Sequence, residues 1–145
     1  MNEKIVYIFL DIDGVLNAPG DKIIQEMFEE KKLKMFIDFI RNYQSIIVLT
    51  SSRRFYQSDV AIIQDVFKDC FGFSLLNDRK LFKQRGKEIE FFIYEQKIKR
   101  YVIFDDVDGG ISNINELNKH FVFVDYLTGI TEIDIVKAKN ILESL

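Results

Sequence analysis

A chain of 145 residues that is 48% hydrophobic and carries 14 phenylalanines is long enough to close a sizeable core, and is expected to form one domain over residues 1–145. A formal net charge of -3 and a sequence pI of about 5.2 exclude a global positive field that gathers nucleic acid or anionic membrane, so any such partner must be met by a local patch. The single cysteine excludes an internal disulfide and fits a reducing, cytoplasmic setting, and a single histidine offers no histidine-based catalytic pair.

In chain order, IVYIFL (5–10) is short, β-branched and apolar on both faces, which predicts a buried strand that runs directly into Asp11, Asp13 and Gly14. Asp11 interrupts this run too early for a signal sequence, and no later stretch approaches a membrane span. Leu33, Phe36, Ile37 and Ile40 share one helix face, and SIIVLT (45–50) is a second strand that closes in Thr50, Ser51 and Ser52. Ile63, Val66, Phe67 and Cys70 recur at i, i+3, i+4 and i+7, predicting a helix on which Cys70 is buried. A weaker strand covers Phe71 to Leu76. Ile89, Phe92 and Ile93 mark another helix, preceded by KQRGK (83–87). YVIF (101–104) is a strand that ends in Asp105 and Asp106, with Asp108 two residues on and Gly109-Gly110 marking a turn. His120, read as structural or exposed, precedes the strand FVFV (121–124). Thr131 and Asp134 form a capping pair ahead of a helix face made of Ile135, Ala138, Leu142 and Leu145. The order β, α, β, α, β, α, β, β, α predicts an α/β fold with a mainly parallel five-stranded sheet and helices on both sides.

In such sheets ligands bind beyond the carboxyl ends of the strands. Asp, Ser and Thr also end strands in ordinary turns, so no one of these positions decides the matter alone. Their convergence does more: carboxylates gathered at one mouth repel unless a proton or cation neutralises them, and carboxylate oxygens suit Mg²⁺. A hydroxyl and a basic side chain beside them would complete a pocket for a phosphoryl group.

The segment DIDGV, a hydroxyl residue closing the second strand, a basic residue before a helix and a DD pair closing a later strand resemble the four motifs of the haloacid dehalogenase (HAD) superfamily. The resemblance spans residues 4 to 124. The stretches RGKEIEFFI and TGITEIDIVKAKNIL are further similar to small cap-less HAD domains associated with RNA-repair proteins. The resemblance implies a Rossmann-like three-layer sandwich without a cap, and a Mg²⁺-dependent phosphatase that works through an aspartyl-phosphate. By the same resemblance Asp11 is the nucleophile and Asp13 the general acid and base, since aspartate at that place points to phosphate-ester hydrolysis. Thr50, or Ser51 as a substitute, would bind the phosphoryl oxygen. Arg85, with Lys87 next and Lys83 also offered by KQRGK, would supply the cation. Asp105 and Asp106 would hold Mg²⁺ together with Asp11 and the backbone carbonyl of Asp13, with Asp108 farther out.

The segments 14–44 and 51–84 leave no room for a cap, and an open mouth suits a macromolecular end. Arg53, Arg54, Phe55 and Tyr56 after the second motif, and Arg79, Lys80, Lys83, Arg85 and Lys87 around the third, lean toward a phosphorylated nucleic acid. Charge runs are also ordinary solvated faces. A non-catalytic or partner-dependent phosphate-binding module on the same fold is the alternative; its expected mark is a lost Asp11 or Asp13, and both are present.

Overall fold

The computed structural model describes residues 4–19, 26–75 and 84–145. Five strands, β1 (Ile5–Leu10), β2 (Gln44–Leu49), β3 (Phe71–Ser74), β4 (Tyr101–Asp105) and β5 (Phe121–Phe123), alternate with helices α1 (Glu30–Ile40), α2 (Gln57–Phe67), α3 (Arg85–Gln96), α4 (Asn115–Asn118) and α5 (Glu132–Glu143). All neighbouring strands pair in parallel, in the order β3-β2-β1-β4-β5. The fold is therefore α/β and Rossmann-like.

Alternation along the strands explains the layers. Val6, Ile8 and Leu10 of β1, Ile47 and Leu49 of β2, and Val102 and Phe104 of β4 face a core shared with α1, α2 and α5. The intervening Phe9, Val48 and Ile103 face a second core closed by Ile89 of α3 and Leu117 of α4. Apolar side chains on both faces of each central strand are what a sheet covered on both sides requires. Phe36 sits at the centre of the first core, with edge-on rings of Phe67 and Phe104 at 5.8 and 5.7 Å.

Several boundaries differ from the expectations. The α2 helix stops at Phe67 because Lys68 takes a left-handed φ of 50°, and the chain continues through a 3₁₀ turn at Lys68–Cys70. Cys70 is thus half-buried against the core after the helix, not buried on it. Leu145 lies beyond α5 and is exposed. The four-residue α4 is too short to show a periodic face. Leu76, the expected end of β3, lies outside the described residues. The capping pair is as expected: the Thr131 hydroxyl accepts from the Asp134 amide, and the Asp134 carboxylate accepts from the Thr131 amide at 2.9 Å. His120 is structural, stacked on Tyr101 with 3.9 Å between ring centroids and its Nδ1 2.8 Å from the Tyr101 carbonyl oxygen.

Two connections fix where chemistry can happen. From β1 the chain moves to β2 and β3 on one side, then crosses to β4 on the other, so the carboxyl ends of β1 and β4 flank the switch point where α/β sheets bind ligands. Among the described residues, the segments that would carry a cap hold only α1, α2, β3 and 3₁₀ turns, and no cap domain is evident. No helix among them is long and apolar enough to cross a membrane.

Candidate active site

Asp11 follows β1 directly, with its amide donating to the Phe104 carbonyl of β4 at 3.1 Å. Asp105 is the last residue of β4 and Asp106 the next. The register Leu10↔Phe104 therefore brings acids from two distant segments to one mouth, where one carboxylate oxygen from each of Asp11, Asp105 and Asp106 lies within 4.8 Å of the others. Asp11 and Asp105 are buried.

Gly14 permits this approach. It has φ +82°, and a Cβ there would stand 2.2 Å from Asp106 Oδ2, so any side chain meets both a left-handed backbone and a carboxylate. Gly14→Ala is expected to cost about 1–2 kcal/mol of stability and to push Asp106 off the cluster. Calorimetric titration with Mg²⁺ checks the second effect, and unchanged affinity would remove Asp106 from the metal set.

Arg85 opens α3 and extends its Nη1 to Asp105 Oδ2 at 2.6 Å and to within 3.9 Å of Asp11 Oδ1. Burial, then the neighbouring Asp105 charge, pushes the Asp11 carboxyl up to about 9 despite Arg85. Burial likewise holds Asp105 above the usual carboxylate range, against the pull of Arg85. One guanidinium does not offset three close carboxylates. Hard oxygen donors carrying surplus negative charge fit a divalent cation, and Asp11, Asp105 and Asp106 form a group that could hold one.

Asp13, two residues beyond Asp11, is not one of that cluster. Arg53 clasps it bidentately, Nε to Oδ2 at 2.9 Å and Nη2 to Oδ1 at 2.8 Å. Asn17 donates from Nδ2 to Asp13 Oδ1 at 3.0 Å and to the Met27 carbonyl at 2.9 Å, while its Oδ1 accepts the Gly14 amide at 2.9 Å. Partial burial alone would raise the Asp13 pKa, but the hydrogen bonds from Arg53 and Asn17 outweigh it and hold the carboxyl below its usual range.

Thr50 follows β2, its amide bonded to the Leu10 carbonyl at 3.0 Å. Its hydroxyl is fully buried and has no hydrogen-bond partner among the described residues. A buried hydroxyl without a protein partner is one that a water or a ligand oxygen could meet. The Ser51 hydroxyl accepts the Arg53 amide at 3.2 Å and caps the 3₁₀ turn Ser52–Phe55. Lys87 points to the surface, 3.6 Å from Glu90. Arg85 is thus the basic residue of KQRGK that stands at the carboxylates among those described; Lys83, like Arg79 and Lys80, lies outside the described residues. Asp108 serves its own loop, its Oδ1 accepting the amides of Gly110 at 3.1 Å and Ser112 at 3.4 Å.

The RRFY stretch divides. Arg53 is taken by Asp13, and Arg54 turns inward to Glu88 at 3.2 Å; Phe55, whose ring lies under the Arg54 guanidinium, and Tyr56 are exposed. Asn17 and Arg53 are site residues that the motifs alone do not disclose. The closeness of Arg53 to the second motif is the one signal that points to it, and nothing in one dimension says which of the adjacent arginines turns inward.

No curated protein and no solved structure gives a significant match to the chain. Every carboxylate, hydroxyl and guanidinium just described falls within residues 7–135, the stretch that matches the family of the HAD domain in Swiss Army Knife RNA repair proteins. The chain belongs to that family, a HAD-type domain of the hydrolase and phosphatase superfamily.

Proposed function

We propose that residues 1–145 act as a Mg²⁺-dependent phosphomonoester hydrolase that forms an aspartyl-phosphate on Asp11 and acts on the phosphorylated end of a nucleic acid. One observation carries the reading: a buried carboxylate at the switch point is flanked by two further carboxylates and by Arg85, with the backbone of Thr50 bonded to the residue before it.

An Asp11 oxygen attacks phosphorus as the ester P–O bond breaks, and the leaving oxygen takes a proton from Asp13. Water then attacks phosphorus, gives a proton to Asp13, and the bond to Asp11 breaks to release inorganic phosphate. Asp11, Asp105 and Asp106, with the backbone carbonyl of Asp13, would hold Mg²⁺, which would supply positive charge against the phosphoryl oxygens. Arg85 adds a fixed positive charge and Thr50 donates to one of those oxygens. Asp13 in the grip of Arg53 suits the base of the second half-reaction. A phosphate dianion arriving beside it adds like charge, which raises its proton affinity for the first.

The absence of an evident cap among the described residues, the exposed Phe55 and Tyr56 that follow the second motif in sequence and the name of the family, which refers to RNA repair, support a nucleic-acid end. The test is phosphate release with Mg²⁺ or with a chelator, on an aryl phosphate, sugar and nucleotide monophosphates, and 3′- and 5′-phosphorylated oligonucleotides. Metal-dependent release with preference for an oligonucleotide end is expected. Silence on every substrate from folded protein would overturn the hydrolase in favour of a phosphate-binding module.

A further inference from the structure

Arg54 is basic, follows the second motif, and yet is nearly all buried, its side chain 5% exposed against 8% for Glu88. Its guanidinium is spent on the protein. Nη1 donates to the Thr50 carbonyl and, at 2.9 Å, to the Ser51 carbonyl. Nε donates to the Leu75 carbonyl at 2.9 Å, and Nη2 to Glu88 Oε2 at 3.2 Å. Glu88 lies three residues after Arg85 on α3, so the two share one helix face. The other side of that first helical turn is docked as well: the Gly86 amide donates to the Gly109 carbonyl at 2.9 Å, and a Cβ on Gly86 would stand 2.9 Å from the Gly110 backbone.

These contacts form one continuous strut. It runs from the backbone that carries the Thr50 hydroxyl, through Arg54 and Glu88, to the helix turn that aims Arg85 at Asp105 and Asp11. Thr50 is held at its amide by Leu10 and at its carbonyl by Arg54, so Arg54 helps fix the backbone that carries a hydroxyl with no hydrogen-bond partner among the described residues. A buried ion pair is a poor device for stability alone, because well-packed apolar residues of similar volume serve as well or better. Its geometric value is different: a planar guanidinium fixes several acceptors relative to one another.

We infer that Arg54 and Glu88 are positioning residues that hold Thr50 and Arg85 at the spacing a phosphoryl group requires. The inference rests on the phosphatase reading of the site and adds two residues that touch neither substrate nor metal.

The experiment compares wild type with Arg54→Met/Glu88→Leu, Thr50→Val and the triple variant, reading kcat and KM for phosphate release, inorganic-phosphate affinity by calorimetry, and melting temperature. The apolar pair is expected to melt within a few degrees of wild type, to lose roughly tenfold to a hundredfold in kcat, and to bind phosphate more weakly. It should add little to the loss from Thr50→Val, since residues that act as a unit are not additive. Wild-type kcat and phosphate affinity in the folded apolar pair would overturn the inference, as would losses that multiply with those of Thr50→Val. Should the apolar pair fail to fold, Arg54→Lys decides, because it keeps a charge against Glu88 while one ammonium cannot span all the carbonyls; wild-type values there would be equally fatal. If wild type releases no phosphate from any substrate, the hydrolase reading falls by itself, and phosphate affinity in the variants still tests the strut.

Discussion

Asp11→Asn is expected to abolish phosphate release and, at the same time, to raise the melting temperature of the metal-free protein. The first effect follows from chemistry: an amide is no nucleophile toward phosphorus, and removal of a covalent nucleophile costs on the order of 10⁴-fold or more in rate. The second follows from charge. Asp11 is buried beside Asp105, and its folded-state pKa lies near 9 against 3.8 in the unfolded chain. A carboxyl whose pKa is raised on folding binds more protons folded than unfolded between those values, so it lowers stability progressively as pH rises through that window. At pH 8 asparagine of the same shape removes most of that cost. For a chain of this size each kcal/mol recovered is about 2–4 °C in melting temperature. Mg²⁺ should narrow or reverse the difference, because it binds the wild-type cluster more tightly and stabilises by mass action. Thermal melts at pH 5 and pH 8, with and without Mg²⁺, test this; a variant less stable than wild type at pH 8 without metal would refute the account of the cluster.

Arg85→Met should act in the opposite direction and lose both function and stability. Asp105 is fully buried, and Arg85 at 2.6 Å is the cation that meets it. Breaking such a pair from one side leaves an uncompensated charge and costs about 3–5 kcal/mol when that charge cannot be shed. Asp105 can shed it by protonation. Burial already holds its pKa above the ordinary value and Arg85 pulls it down, so removing Arg85 raises it further. The variant should therefore draw level with wild type as pH falls below the folded-state pKa of Asp105, and fall progressively behind as pH rises through it. Urea unfolding between pH 4 and pH 8.5 reads this directly. A pH-independent difference would mean that Arg85 acts by packing alone. Phosphate release should fall by at least about a hundredfold, the scale of losing one preorganised charge-stabilising donor.

The motifs were readable because each one ends a strand, and strands buried on both faces write themselves as apolar runs. IVYIFL, SIIVLT and YVIF gave β1, β2 and β4 to within a residue, and their order alone predicted a parallel sheet. Asp11, Asp105 and Asp106 then had to meet at the carboxyl edge, and they do. What the sequence withheld was the direction of side chains. Two adjacent arginines look alike in one dimension, yet the 3₁₀ turn they share sends Arg53 to Asp13 and Arg54 into the core. The reading of that pair as a surface for polyanions missed this, because burial of a guanidinium depends on carbonyls and on a glutamate more than thirty residues away. Cys70 failed for a local reason: an apolar spacing continued past the point where Lys68 leaves the helical region. Asn17 could be read only as a turn residue, since its partners include a carbonyl ten positions on.

The place of β1 in the sheet also has a consequence in time. Of the five strands it is the first to be synthesised, yet it lies between β2 and β4 and depends on both for its hydrogen bonds. At roughly 5–20 residues per second of synthesis, Leu10 waits on the order of 5–20 s for Phe104, its neighbour in the finished sheet. Until then the Asp11 amide lacks its acceptor and Asp105 does not yet exist. A nascent chain therefore carries Asp11 without its partner carboxylates, and the cluster forms late and all at once, when β4 slots against the oldest strand of the sheet.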